Sequence, residues 1–197
     1  MIEILIVLGL ILLNGLFALS ELAIVSSRQP RLKALAATGR KGAESALALS
    51  SDPGRFLSAV QIGITMIGTI NGVYSGETFG EYAYAALREA GLPEAVATPL
   101  GYGTVIAVIT YLSVIIGELV PKNLALRNAE RIACRIAPIM SAFSRAASPA
   151  VSLLDASTRL VFRLFGQEEA TSSQVSDEEI AILIAEAEAA GVLEKPE

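Results

Sequence analysis

Glu21 and Glu118 stand at the ends of stretches otherwise fit for a lipid interior, Ile4 to Ser20 and Thr98 to Gly117. An ionisable group inside a membrane span is expensive to keep there, which makes each carboxylate a functional candidate. Ser20 precedes the first and Gly117 the second. Pro121 has no N–H, so the carbonyl four residues earlier, that of Gly117, loses its helical partner and the helix bends. A freed backbone oxygen beside a carboxylate suits a hard cation such as Mg2+ or Ca2+, which takes oxygen ligands where a spanning helix is broken. The plainer alternatives are carboxylates protonated or paired with an interfacial Lys or Arg, and a kink that serves only packing.

A third stretch adds neutral oxygens. From Gln61 to Gly76 the chain runs QIGITMIGTINGVYSG, in which Gln61, Thr65, Gly68 and Gly72 form one small, polar stripe and Asn71 places an amide on the adjacent face. Gly68, Gly72 and Gly76 are also spaced for close helix packing. The chain has no histidine and one cysteine, Cys134, so an internal disulfide is excluded and zinc, copper or haem ligation is not expected. No nucleophile and base pair stands out, so an enzyme is not expected. Nor is a nucleic-acid partner.

These residues need elements to carry them. Of the 197 residues 53% are hydrophobic, and the mean hydropathy is +0.56. Three stretches are free of charge, Ile4 to Ser20, Phe56 to Gly76 and Thr98 to Gly117, each close to the roughly 20 residues that cross a bilayer as helix. The expected fold is therefore an all-α integral membrane protein. Its transmembrane domain covers 1–127, with spans at about 2–27, 56–76 and 98–120. The chain opens without a basic n-region, so the first span is expected to be retained. Arg28, Arg31, Lys33, Arg40 and Lys41 follow the first span, and Lys122, Arg127, Arg131 and Arg135 the third, whereas the connection from Glu77 to Glu94 carries four glutamates and only Arg88. Basic loops stay cytoplasmic. The N-terminus is then expected outside and the C-terminus in the cytoplasm.

Prolines set the expected boundaries: Pro30 closes the first helix, Pro53 opens the second span and Pro99 the third. Between Pro30 and Pro53, Arg31 to Leu49 reads as a helix that closes a hairpin near the inner surface. Residues 128–166 read as an amphipathic juxtamembrane helix, because Arg131, Arg135, Arg145, Arg159 and Arg163 fall on one arc of about 120° at helical phase. A fourth span there would place Arg145 near the bilayer centre, at a cost of at least roughly 2.5–3.5 kcal/mol. Residues 167–197 are polar, and Ser176-Asp177-Glu178-Glu179 is a capping box that starts an acidic cytosolic helical connector. The chain is expected to continue beyond Glu197.

Several motifs together carry a family likeness: Ser20-Glu21, Asp52-Pro53-Gly54-Arg55-Phe56-Leu57, Gln61-Ile62-Gly63-Ile64-Thr65, and Gly117-Glu118-Leu119-Val120-Pro121-Lys122. They resemble the transmembrane domain of the CorC and cyclin M magnesium transporters, and the likeness covers nearly the whole chain. The resemblance implies a multi-pass homodimer of the plasma (inner) membrane, with three spans and a juxtamembrane helix per subunit, that exports Mg2+ with inward Na+ movement as the driving force. It places the ion site on Ser20, on Gly63, Thr65 and Asn71 of the second span, and on Gly117 and Glu118. It also implies C-terminal cytosolic regulatory modules of the nucleotide-binding cystathionine-β-synthase type, absent from this sequence. The competing reading is a membrane anchor and sensor, whose spans bind an ion only to stabilise a dimer that regulates another transporter.

Overall fold

A computed structural model describes residues 1–165, so the expected acidic connector and its capping box lie outside the described residues. All regular structure among these residues is helical: α1 (Ile2–Val25), α2 (Gln29–Ala37), α3 (Ala43–Ser51), α4 (Pro53–Glu89), α5 (Glu94–Val114), a π-helical turn (Ile115–Leu119), α6 (Val120–Arg127) and α7 (Ala129–Leu164). Three stretches are long and apolar enough to cross a membrane, Ile2–Val25, Pro53–Glu89 and Glu94–Arg127. This is a multi-pass, all-α membrane protein.

The helices follow the sequence with four departures, each with a local cause. Arg31 to Leu49 is two helices rather than one, because Gly39 and Gly42 adopt φ of 73° and 79°, a left-handed conformation that β-carbon sterics deny to most residues. Pro30 opens α2 instead of closing α1, which ends at Val25; its missing N–H is harmless in a first turn. Pro99 lies inside α5, which starts at Glu94. Finally, α4 runs for 37 residues to Glu89, about 55 Å of helix against a hydrocarbon core of roughly 30 Å. Most of the expected Glu77 to Glu94 connection is therefore helix, and only residues 90–93 turn the chain, with Gly91 at φ 87°.

Pro53 does open α4. Asp52 precedes it, and its carboxylate accepts from the Arg55 backbone N–H at 3.3 Å, satisfying one of the donors that a helix start leaves free. At the other end of this helix, α4 and α5 approach closely. The ring of Tyr102 lies against Gly80, and a β-carbon on Gly101 would come within 2.8 Å of the Tyr84 backbone nitrogen.

The core sits at the end of the bundle that carries α2 and α3. Phe17, Ile24, Leu32, Phe56, Val60, Cys134 and Met140 are buried there together, and Phe17 meets Phe143 edge to face with ring centroids 4.7 Å apart. The α7 helix continues through Pro138 and Pro149; Ala133, Ile136, Ala137 and Met140 are buried while Arg131, Arg135 and Arg145 are exposed. Met1–Ser152 forms one compact unit and the chain from Leu153 a second. In the second, Leu153 to Phe165 are exposed. Elsewhere the apolar side chains of the spans face outward, as in α5, where only Ala97 and Gly101 are buried. An outward apolar surface of this extent matches a lipid solvent.

Candidate ion-binding site

The helical ladder of the third span is broken where the sequence places Pro121. Across Ile115–Leu119 the backbone widens into a π-helical turn, and the Val120 N–H bonds back five residues to the Ile115 carbonyl. Such turns free backbone carbonyls and recur at functional sites. The Gly117 carbonyl accepts the side-chain amide of Asn14 from α1 at 3.0 Å. Close approach makes this possible: a β-carbon on Gly117 would meet the Ile11 carbonyl at 3.2 Å, and one on Gly15 would meet the Pro121 ring at 3.1 Å. Asn14 spends its donor end on Gly117, so its amide oxygen is left buried and without a partner.

The two carboxylates come from different helices, Glu118 directly after Gly117 on the third span and Glu21 on α1. Lys122 lies between them, its Nζ 2.7 Å from Glu118 and 3.6 Å from Glu21. The three side chains are 31%, 45% and 25% exposed respectively. Two carboxylates around one ammonium leave a net charge of −1. The pairing with a Lys, one of the plainer alternatives read from sequence, is thus present, and the freed carbonyl stands beside it.

Ser20 is fully buried, and its hydroxyl donates to the Phe17 carbonyl at 2.7 Å. This leaves its lone pairs as the available chemistry. Gly63 lies against the Phe17 ring, where a β-carbon would come within 2.6 Å, so the absence of a side chain there admits that ring. Thr65 is exposed and faces away from this cluster, on the side of α4 where β-carbons on Gly68, Gly72 and Gly76 would meet nothing within 4 Å.

Asn71 is elsewhere in depth. Its amide donates to the Ser113 hydroxyl on α5 at 3.2 Å, and eight residues of α4, about 12 Å of rise, separate it from Gly63. The residues read from sequence therefore divide. Gly117 and Glu118 come together at α1, with Ser20 and Gly63 set around Phe17, while Asn71 and Thr65 do not join them.

Three polar residues escaped the sequence reading as candidates, Asn14, Ser75 and Ser113, whereas Lys122 realises the pairing with a Lys that it left open. Asn14 carried the same signal as Asn71, a lone amide in an apolar run. Among the described residues no three of His, Cys, Asp and Glu converge as metal ligands. A cation here must draw on carboxylates together with neutral oxygens such as Asn14 Oδ1 and the Gly117 carbonyl.

Comparison with known proteins places this chain in a family. The profile of the cyclin M transmembrane N-terminal domain matches residues 5–197. Among curated relatives, UPF0053 protein sll0260 of Synechocystis is 43% identical over 95% of this chain and 42% of its own length. UPF0053 protein YhdP of Bacillus subtilis is 31% identical over 95% of the chain and 43% of its own length. A protein of Escherichia coli named polyamine export protein is 26% identical over 99% of the chain and 43% of its own length. The chain thus spans less than half the length of these relatives. Its match to the family profile extends over nearly all of its residues, and the chain belongs to the cyclin M family, whose transmembrane N-terminal domain it carries.

Proposed function

We propose that this chain is the membrane domain of a Mg2+ transporter that exports Mg2+ in exchange for Na+, through a dehydrated-ion site set by Gly117, Glu118, Asn14, Glu21 and Ser20. The observation that carries the reading is the Gly117 carbonyl, taken off the helical ladder and clasped by Asn14, with an unpartnered buried amide oxygen on one side and Glu118 on the other. Hard divalent ions need several oxygens and compensating negative charge, and these groups supply both. In the absence of cargo the Lys122 ammonium neutralises part of that charge. A divalent ion arriving at Glu118 displaces it, so the site need never expose two bare carboxylates to lipid.

The protein works as a homodimer in the plasma membrane, with its N-terminus outside and the α2 and α3 end in the cytoplasm, where the basic residues gather. The open face of Gly68, Gly72 and Gly76 suits a second copy, because small residues let helices approach closely. Residues 128–166 lie along the inner interface. The family resemblance implies C-terminal cytosolic regulatory modules in the whole protein.

A second reading has its own support. The carboxylates already hold an alkylammonium, that of Lys122, and a protonated polyamine presents the same group at each end; the Escherichia coli relative bears the name polyamine export protein. A third reading, an ion-stabilised anchor that regulates another transporter, requires no flux. Purified protein in liposomes separates all three. Mg2+ release that depends on an opposing Na+ gradient and ignores spermidine supports Mg2+ export. Spermidine flux that Mg2+ inhibits supports the second, and binding without any flux supports the anchor.

A further inference from the structure

A second group of oxygens lies deeper along the bundle, away from the carboxylates. Asn71 and Ser75 are one turn apart on the same face of α4, 4% and 1% exposed, and the amide oxygen of the first and the hydroxyl of the second have no partner. The donor end of the Asn71 amide is anchored on Ser113, which leaves its acceptor end to the interior. Ser20, Thr69, Thr98, Ser152 and Ser157 satisfy their hydroxyls on a carbonyl of their own helix, whereas the buried Ser75 hydroxyl has no partner.

A buried polar atom without a partner costs roughly 1–3 kcal/mol, and two on adjacent turns of one membrane helix call for a ligand. The surroundings decide its class. No charged residue lies between Arg55 and Glu77 on α4, between Glu94 and Glu118 on the third span, or between Glu3 and Glu21 on α1. Neutral oxygens can replace the hydration shell of a monovalent ion, whereas stripping a divalent one calls for carboxylates. Ser113 precedes Gly117 by four residues, about 6 Å along the helix axis, and Ser75 lies about one turn further from Gly117.

We propose that Asn71, Ser75 and Ser113 form a second cation site, separate from the Glu118 cluster, that takes one dehydrated monovalent cation of the Na+ class. Occupancy of this site stands on its own observations; its use as the site of the coupling ion rests on the transport reading above.

The test is thermal unfolding of the detergent-purified protein as NaCl replaces choline chloride at constant ionic strength, with Mg2+ binding measured separately by calorimetry. Na+ is expected to raise the unfolding temperature of the parent. Ser75→Ala, which removes only one hydroxyl, should raise the Na+ concentration needed by about tenfold, and Asn71→Leu should abolish the response. Glu118→Gln should keep the Na+ response, and Ser75→Ala should keep Mg2+ binding. If Asn71→Leu does not fold, Ser75→Ala and Ser113→Ala carry the test. Na+ acting no better than choline would leave a buried water as the occupant and overturn the proposal. So would Ser75→Ala and Ser113→Ala variants that respond like the parent, or a Na+ response lost in Glu118→Gln. A normal Na+ response in a parent that binds no Mg2+ would support this site while refuting the Mg2+ reading.

Discussion

The side-chain amide of Asn14 donates to the backbone carbonyl of Gly117 at 3.0 Å, joining α1 to the third span at the carbonyl that Pro121 deprives of its helical donor. Without this bond a backbone oxygen would face the bundle interior unpaired. Asn14→Ala is therefore expected to destabilise the protein by about 1–3 kcal/mol and to weaken Mg2+ binding about tenfold or more. Thermal unfolding and calorimetry on the same preparation check both effects. A variant as stable as the parent would mean that the freed carbonyl has another partner.

On the proposed transport reading, Lys122 competes with the cargo for Glu118 and Glu21, with which it pairs in the structure. In Lys122→Met the carboxylates lose their ammonium, so the protein without divalent ion should be less stable by about 1 kcal/mol. Added Mg2+ should then stabilise the variant more than it stabilises the parent. A smaller Mg2+ effect in Lys122→Met would show that Lys122 assists binding instead of standing in for the ion.

Two glycines on α4 and α5 distinguish folding from assembly. Gly101 packs against the Tyr84 backbone, which cannot swing aside as a side chain can, so Gly101→Ala should lower stability by about 1–3 kcal/mol. Gly72 meets nothing within its own subunit. Gly72→Leu should leave the helical signal intact and shift the particle from dimer to monomer in size-exclusion with light scattering. Unchanged mass would remove the Gly68, Gly72 and Gly76 face from the dimer contact.

Burial pushes the Cys134 thiol above its ordinary range, outweighing the nearby Arg40, which pulls it down. The folded thiol keeps its proton at pH values where the unfolded chain has lost it. Its contribution to stability is therefore intact below the ordinary thiol pKa and declines as pH rises past it. Maleimide should label Cys134 slowly at pH 7.5 and rapidly after unfolding in denaturant. Fast labelling of the folded protein would contradict its burial. A Cys134→Ala background then permits a topology assay, in which a cysteine in residues 90–93 reacts with an impermeant reagent from outside and one at Thr38 does not.

How much of this was legible in the sequence differs by residue. Charge-free runs located the three spans, because bilayer thickness acts within one segment, but of the prolines only Pro53 marked the boundary expected of it, Pro30 opening α2 and Pro99 lying inside α5. The release of the Gly117 carbonyl followed from Pro121, because the missing proline N–H also acts within one segment. What receives it did not: the pairing with Asn14 joins residues 103 apart in sequence and depends on how two helices approach. Gly39 and Gly42 signalled the break between α2 and α3, but the apolar and basic pattern around them reads as one helix. Asn71 was recognised as a membrane amide, yet its separation in depth from Glu118 emerges only from the packing of α4 on α5.

Mg2+ flux from proteoliposomes is the most direct test of the central claim, measured for the parent, Glu118→Gln and Pro121→Ala under an opposing Na+ gradient. Glu118→Gln keeps the shape and a ligand oxygen but removes the charge. Pro121→Ala restores the N–H that lets the helix recapture the Gly117 carbonyl. The parent is expected to release Mg2+, Glu118→Gln to lose at least about nine-tenths of that rate, and Pro121→Ala to be slowed although its helix is more regular. Size-exclusion profiles identical to the parent's establish that both variants remain folded. Folded variants that move Mg2+ at the parent's rate would contradict a site built on Gly117 and Glu118.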